Sequence, residues 1–189
     1  AYREALDVMV PAATGVALTP SPLKVLVYRD AARYAAHVQE HAPRLAHNGG
    51  YYDGATHTVI SYLIANPLQL QFHEIAHAVM GEVFDDRAYY RYARPHWPVW
   101  FDEGFAEYAS SYDFIGGDFR FGAVPYGRLA LLLDALGQHK MPPLGELLLA
   151  TAQRFTGHDA DLYYAGAWAL VELLLSDPDL RSRVPSWVA

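Results

Sequence analysis

The segment His73-Glu74-Ile75-Ala76-His77 constrains the fold of this chain more than any other feature of its sequence. Residues four apart on an α-helix lie on the same face, about 6 Å from each other along the axis. The two imidazoles can then bind a single metal ion, for which zinc is the usual occupant. The spacing therefore predicts both a helix and a metal site on one of its faces.

Flanking residues predict where this helix begins and ends. Asn66 can cap it, Pro67 suits its first turn, and Gln69 occupies the capping-box position. The helix is expected to end near residue 83. Apolar residues recur at helical spacing and should face the core, leaving the two histidines on another side. These apolar residues are Leu68, Phe72, Ile75, Val79 and Val83.

Glu74 lies between the two histidines and is expected to point beside the metal, where a bound water would be located. A carboxylate in that position can take the proton of the water. The motif therefore predicts metal-assisted hydrolysis, which most often acts on peptides.

Composition limits the other classes of function. The 189 residues are enough for one domain with a sizeable core, and the net charge of −7 disfavours nucleic acid as a partner. No apolar run approaches 18 residues, so no membrane span is expected. The absence of cysteine excludes disulfides and thiolate metal sites. The chain starts at Ala1 without a methionine, so a mature or trimmed fragment is expected. A bacterial periplasmic or secreted location is favoured, and a cytoplasmic location stays open.

The order of the predicted elements favours the α+β class. A strand over 23–28, a helix from Asp30 to about residue 39 and a hairpin over 51–63 form a sheet-rich part at about 20–65. The motif helix at about 67–83 follows, and residues 85–98 are expected to be irregular. The remainder, about 102–183, is predicted to be helical, with a loop at Gly116, Gly117, Gly122 and Pro125 and helices over 102–112, 126–136, 144–150 and 161–175.

A second motif, Trp100-Phe101-Asp102-Glu103-Gly104-Phe105-Ala106-Glu107-Tyr108, follows the first. Together the two motifs resemble those of the gluzincins, which include thermolysin-like proteases and zinc aminopeptidases. The chain is most similar to the bacterial peptidase-MA-like domains of that class. The resemblance implies that Glu103, on a second helix, is the third protein ligand of one zinc ion, beside His73 and His77.

Two further carboxylates are expected to orient the histidines. Glu107 lies one helical turn after Glu103, where it can receive the outward N–H of a ligand histidine. The resemblance implies that this histidine is His73. Asp102 could play the same part for His77, at a position where relatives often have asparagine.

The segment Tyr163-Tyr164-Ala165-Gly166-Ala167-Trp168-Ala169-Leu170 is similar to a stretch of the peptidase-MA-like domains. In zinc aminopeptidases a tyrosine before such a helix donates to the oxyanion that amide cleavage develops. Alignment on the following helix implies Tyr164 for this role, with Tyr163 as the alternate. Packing of both tyrosines at a helix start remains open.

For the whole chain, 1–189, the resemblance implies a single metallopeptidase domain of zincin-like, thermolysin-type fold. A small twisted, mostly antiparallel sheet would precede the helical half, with strand 58–63 at the edge of the cleft. The expected partner is a peptide or protein substrate, and endopeptidase activity is favoured because the aminopeptidase signature Gly-x-Met-Glu-Asn is absent.

One alternative belongs to another class of function. The domain could bind peptide or cell-envelope polymer without catalysis, with zinc in a purely structural role. A structural zinc would need a fourth protein ligand, for which His96 is the nearby candidate in the sequence.

Overall fold

The computed structural model describes residues 22–46, 48–64, 67–83 and 98–184, and these form a mixed α+β structure. Strands β1 (Lys24–Tyr28), β2 (Gly50–Asp53) and β3 (Thr58–Tyr62) make one sheet in the order β1-β3-β2. β2 and β3 pair antiparallel, whereas β1 runs parallel to β3. The predicted first strand and hairpin are thereby confirmed.

Helix α1 (Ala31–His41) connects β1 to β2 and covers one face of the sheet. The Asp30 side chain caps it by accepting a hydrogen bond from the Arg33 backbone N–H at 2.9 Å, as the sequence predicts. Tyr34 and Val38 are the buried residues of α1, and they pack with Tyr51 and Ile60 of the hairpin.

The sheet order corrects one prediction, because strand 58–63 is not at the cleft edge. β3 is the middle strand and is paired on both sides, with β1 on one side and β2 on the other. A hairpin fixes the pairing of its own two strands only, and the connection through α1 brings β1 to the remaining edge of β3. The strand of the hairpin that lies at an edge of the sheet is therefore β2.

Helices α2 (Pro67–Val83), α3 (Val99–Ser110) and α6 (Ala160–Ser176) form the centre of the molecule. α2 packs against β2 and β3 as well as against α3, and α3 packs in turn against α6. The main core lies between these helices and includes Phe72, Met80, Phe105 and Val171.

Most of the predicted apolar stripe of α2 lies in the core, since Phe72 and Val79 are buried and the partly buried Ile75 packs against them. Leu68 is the exception, with 47% of its surface exposed, because the first turn of α2 projects past the core. The predicted cap at Asn66, the side chain of Val83 and the irregular segment up to residue 97, with His96, lie outside the described residues.

A second hairpin replaces the loop that was expected around Gly116. β4 (Tyr112–Ile115) and β5 (Asp118–Phe121) pair antiparallel. Gly116 and Gly117 connect them with φ angles of +66° and +95°, which is the backbone of a tight two-residue turn. Two glycines between aromatic-rich runs are a hairpin signal, and interpreting them as a loop was wrong.

Three further helices complete the second half: α4 (Tyr126–Gly137), α5 (Leu144–Leu148) and α7 (Pro178–Arg181). α4 and α5 both pack against α6, in agreement with the predicted helices at these positions. Within the described ranges, no helix has the length and apolarity needed to cross a membrane.

Candidate metal centre

Helices α2 and α3 bring three ligand-type side chains together in the lining of a cleft. The Nε2 atoms of His73 and His77 are 3.1 Å apart. The Oε2 atom of Glu103 lies 3.5 Å from each of these nitrogens. The three residues form a group that could hold a metal ion, and they are the three ligands predicted from the sequence.

Carboxylates face the other nitrogen of each imidazole. His77 Nδ1 lies 3.1 Å from Asp102 Oδ1 in a fully buried contact, and His73 Nδ1 lies 3.5 Å from Glu107 Oε1. A neutral imidazole beside a carboxylate keeps its proton on the nitrogen that faces it. Both Nε2 lone pairs are then directed towards Glu103. Asp102 and Glu107 are thus located where the sequence predicted them.

The three converging atoms are all electron-pair donors. Two imidazole lone pairs and a carboxylate oxygen repel one another at these distances unless a proton or a cation lies between them. Glu103 Oε2 is also buried and has no hydrogen-bond partner among the described residues. A buried carboxylate oxygen left unpaired is costly, so the donor set fits a cation bound by all three residues.

The charges at the centre shift the pKa values of its members in opposite directions. Burial lowers the pKa of His77, but the carboxylates of Asp102 and Glu103 outweigh it and raise that pKa well above its usual range. For Glu103, burial raises the pKa, but the two histidines reverse the effect and hold it well below its usual range. The centre therefore stabilises positive charge, whether a proton or a metal ion supplies it.

Glu74 lies beside the ligands on α2 and is buried against the edge strand β2. Burial raises the pKa of its carboxyl group, and the two histidines oppose this increase. A Cβ added to Gly50 of β2 would lie 3.2 Å from Glu74 Cγ and 3.2 Å from the Ile60 carbonyl oxygen. The glycine at this position therefore lets β2 lie close to Glu74 of α2. Glu74 also lines the cleft together with the three ligands.

The two predicted tyrosines of α6 face different parts of the molecule. The ring centroid of Tyr164 lies 6.2 Å from that of His73, and Tyr164 lines the cleft. Tyr163 instead donates its hydroxyl to Glu146 Oε1 at 2.5 Å. The structure therefore brings Tyr164 to the metal centre and directs Tyr163 away from it, because adjacent residues of a helix project about 100° apart.

Burial raises the pKa of Tyr164 far above its ordinary value, and the carboxylates of Glu103 and Glu107 raise it further. The raised pKa favours the protonated hydroxyl. A tyrosine in this state is a hydrogen-bond donor rather than an anion.

Arg128 of α4 belongs to the site and was missed by the sequence analysis. Its Nε and Nη2 atoms donate to the two carboxylate oxygens of Glu107 at 2.8 and 3.2 Å, and its Nη1 atom donates to Asp161 at 2.7 Å. Its guanidinium carbon also lies 5.0 Å from the centre of the Tyr164 ring. The sequence offered one signal, a single basic residue in the otherwise apolar first turns of α4.

The cleft above the centre has a volume of about 2450 Å³ and is open to solvent. Pockets for small ligands usually enclose about 300–1,000 Å³, so this cleft is large enough for a polymer. Residues of the sheet, of α2 and α3, and of the segment from α4 to α6 all contribute to its lining.

Neither the model of a known protein family nor the sequence of a curated protein matches this chain. The gluzincin resemblance accordingly depends on the sequence motifs over 73–77, 100–108 and 163–171.

Proposed function

We propose that this protein is a zinc metallopeptidase with a zincin-like fold. It hydrolyses peptide bonds in the interior of polypeptide substrates rather than at the ends of those substrates. The observation that carries the proposal is the convergence of His73, His77 and Glu103 beside Glu74 in a large cleft. Three protein ligands, a carboxylate base and space for a polymer are together what metal-assisted peptide hydrolysis requires.

The distances among the three ligand atoms support zinc. Zinc bonds to nitrogen and oxygen are about 2.0–2.1 Å long, and tetrahedral angles then separate neighbouring ligand atoms by about 3.3–3.4 Å. The observed separations of 3.1, 3.5 and 3.5 Å lie close to this value. We therefore assign His73, His77 and Glu103 as the residues that would hold the ion.

A catalytic ion fits the site better than a structural one. Structural zinc is usually closed by four protein ligands, whereas catalytic zinc has three and leaves one position for water. Among the described residues, the group comprises His73, His77 and Glu103 and includes no fourth histidine or carboxylate. A site that served only to bind a polymer would also have no use for Glu74.

The proposed mechanism assigns one task to each side chain. Bound zinc would supply Lewis acidity at the scissile carbonyl and lower the pKa of a water. Glu74 takes the proton of the attacking water and returns it to the leaving amine. Tyr164, which keeps its proton, donates a hydrogen bond to the developing oxyanion. Asp102 and Glu107 keep the ligand histidines in the tautomer that presents Nε2.

The edge strand β2 provides a means of holding an extended substrate. An extended peptide can pair with the exposed edge of a sheet through its backbone and so be recognised without a free terminus. β2 lies at an edge of the sheet and touches Glu74 at Gly50. This arrangement supports cleavage within a chain.

Replacing the base while keeping the ligands tests the proposal. We expect Glu74→Gln to bind one zinc per chain like the wild type and to lose about a hundredfold or more in turnover. The measurement is cleavage of a diverse peptide library by zinc-loaded protein, followed by mass spectrometry, with zinc content determined on the same samples.

The matched control is Glu82→Gln, on the same helix. The side chain of Glu82 is also buried, but its carboxylate lies 3.0 Å from His57. This variant should cleave at the wild-type rate. Near-normal turnover by Glu74→Gln, or the absence of any cleavage by zinc-loaded wild type, would contradict the proposed hydrolysis.

A further inference from the structure

The hydroxyl of Ser61, on strand β3, is buried without a hydrogen-bond partner. The residue has no surface exposed to solvent, and its Oγ atom makes no hydrogen bond among the described residues. Ser110 and Ser111 are also buried, but both of them donate to the backbone carbonyl of Glu107, at 3.1 and 2.8 Å. Buried hydroxyls are normally paired, so the unpaired hydroxyl of Ser61 requires an explanation.

Ser61 faces the helix that carries the proposed base. Side chains along a strand alternate between the two faces of a sheet, so Ser61 lies on the same face as Val59. Val59 packs with Ala78 of α2. Ser61 therefore faces α2, which also carries Glu74.

A glycine separates the side chains of Ser61 and Glu74. Gly50 of β2 is the antiparallel partner of Ser61. A Cβ placed on Gly50 would lie 3.2 Å from Glu74 Cγ and 3.3 Å from Ser61 Cβ. The two side chains therefore border one methyl-sized space, and because Gly50 has no side chain, both of them can turn towards it.

Rotation of these side chains is enough to join the hydroxyl to the carboxylate. Groups that border so small a space can reach hydrogen-bond distance through changes in their χ angles alone. A carboxylate accepts hydrogen bonds on both of its oxygens. One oxygen of Glu74 can accept from Ser61 on the side of the sheet, while the other is directed into the cleft that Glu74 lines.

We propose that Ser61 is a positioning residue for the base: its hydroxyl donates to one carboxylate oxygen of Glu74 and so fixes the direction of the other oxygen. The catalytic consequence rests on the proposed hydrolysis, in which the second oxygen takes the proton of the water. The hydrogen bond itself does not rest on it. A bond from a hydroxyl to a carboxylate is stronger than one between two neutral groups.

Unfolding in urea tests the hydrogen bond without a measurement of activity. A buried hydroxyl that stays unpaired destabilises a protein, so its removal would leave the urea midpoint unchanged or raise it. If Ser61 donates to Glu74, Ser61→Ala should instead lower the midpoint of EDTA-treated protein by about 0.5 M. The same change in the Glu74→Ala background should not lower it. A midpoint that Ser61→Ala does not lower, or lowers equally in both backgrounds, would overturn the inference.

The matched control is Ser111→Ala. It makes the same change at a buried serine whose acceptor is a backbone carbonyl oxygen, at 2.8 Å. This variant should lower the midpoint equally in the wild type and in Glu74→Ala. If the effect of Ser111→Ala also disappeared in Glu74→Ala, the coupling would not be specific to Ser61 and the inference would fail.

Steady-state cleavage by zinc-loaded protein tests the positioning role. Ser61→Ala should lower kcat about tenfold and leave KM within about twofold, because the hydroxyl acts on the base and not on the bound substrate. Zinc content should equal that of the wild type. An unchanged kcat would overturn the positioning role even if the two residues were coupled in stability. Coupling in a protein whose wild type cleaves no peptide would support the hydrogen bond and contradict the proposed hydrolysis.

Discussion

Single side chains at the metal centre have roles that depend on the atom they present. Glu103 presents an unpaired buried oxygen, whereas Glu107 uses both of its oxygens, on Arg128 and beside His73. In the proposed function, two glutamates one turn apart on α3 would therefore serve as a ligand and as a support for a ligand. The partner of each glutamate, rather than its residue type, decides whether it would bind the ion or orient a histidine.

Arg128 supports the Glu107 carboxylate that faces His73. Replacing Arg128 removes its two hydrogen bonds to Glu107 and its contact with the Tyr164 ring. The Glu107 carboxylate is then free to move, so it holds His73 less firmly. We expect Arg128→Ala to lower zinc affinity or turnover by about 10- to 100-fold. The measurements are zinc titration against a competing chelator and steady-state cleavage of a peptide found in the library.

Arg128→Lys should recover only part of the loss, because a lysine cannot donate to both oxygens of Glu107 in the same plane. Arg120→Ala is the control, since Arg120 lies on the β4–β5 hairpin and does not line the cleft. Wild-type zinc affinity and turnover in Arg128→Ala would show that the residue is only a surface contact.

At the scale of elements, the crossing of α3 and α6 places Glu103. A Cβ added to Gly104 would lie 2.4 Å from Ala167 O and 2.7 Å from its carbonyl carbon. The two helices can therefore approach this closely only where α3 has glycine. Tyr164 of α6 lies beside His73 in the same region, with 6.2 Å between the ring centroids.

We expect Gly104→Ala to destabilise the protein by about 3 kcal/mol, because the helix backbones would have to separate. The measurement is equilibrium unfolding in urea. Gly127→Ala is the matched control, because Gly127 is also helical but an added Cβ there has no atom of the described residues within 4 Å. It should be neutral or stabilising by up to about 1 kcal/mol. Equal stability of the two variants would show that the crossing tolerates a methyl group.

At the scale of the molecule, the proposed ion joins α2, which packs on the sheet, to α3, which packs on α6. A ligand that binds only the folded state stabilises it by about 4 kcal/mol at a thousand times its Kd. Chelation should therefore lower Tm by several degrees. The measurement is the difference in Tm between excess zinc and EDTA, determined for the wild type and for His77→Ala. An equal difference in the two proteins would contradict the assigned site.

The pH dependence of stability should also change with the ion. Without metal, burial lowers the pKa of His77 but the carboxylates of Asp102 and Glu103 raise it above the ordinary 6.5. A histidine of this kind stabilises the fold fully below its unfolded pKa, and the stabilisation is lost as pH rises through its folded value. We expect the Tm of EDTA-treated protein to fall as pH rises above 6.5.

Zinc-loaded protein should behave differently, because the ion replaces the proton on the histidine and binds more tightly as protons become scarce. The zinc-dependent increase in Tm should therefore grow from about pH 6 to about pH 8. Thermal unfolding of the same preparation with zinc and with EDTA at each pH measures it. An increase that shrinks with rising pH would contradict the assigned ligands.

The sequence by itself determined the local features of this protein. The spacing of His73 and His77 required a helix, Glu103 and Glu107 fell on one face of the next helix, and Asp30 capped the helix that the structure contains. These features follow from helical periodicity and from hydrogen bonds between near neighbours. Residues close in sequence carry such information because the chain itself fixes their separation.

The contacts between residues far apart in the sequence were decided only by the tertiary structure. It made β2 rather than β3 the sheet edge at the cleft, brought Tyr164 and not Tyr163 to the centre, and placed Arg128 on Glu107. Each result depends on how elements pack across the core, and many packings satisfy the same local pattern. Strand order and helix crossing are set by the fit of whole surfaces, which local spacing does not encode.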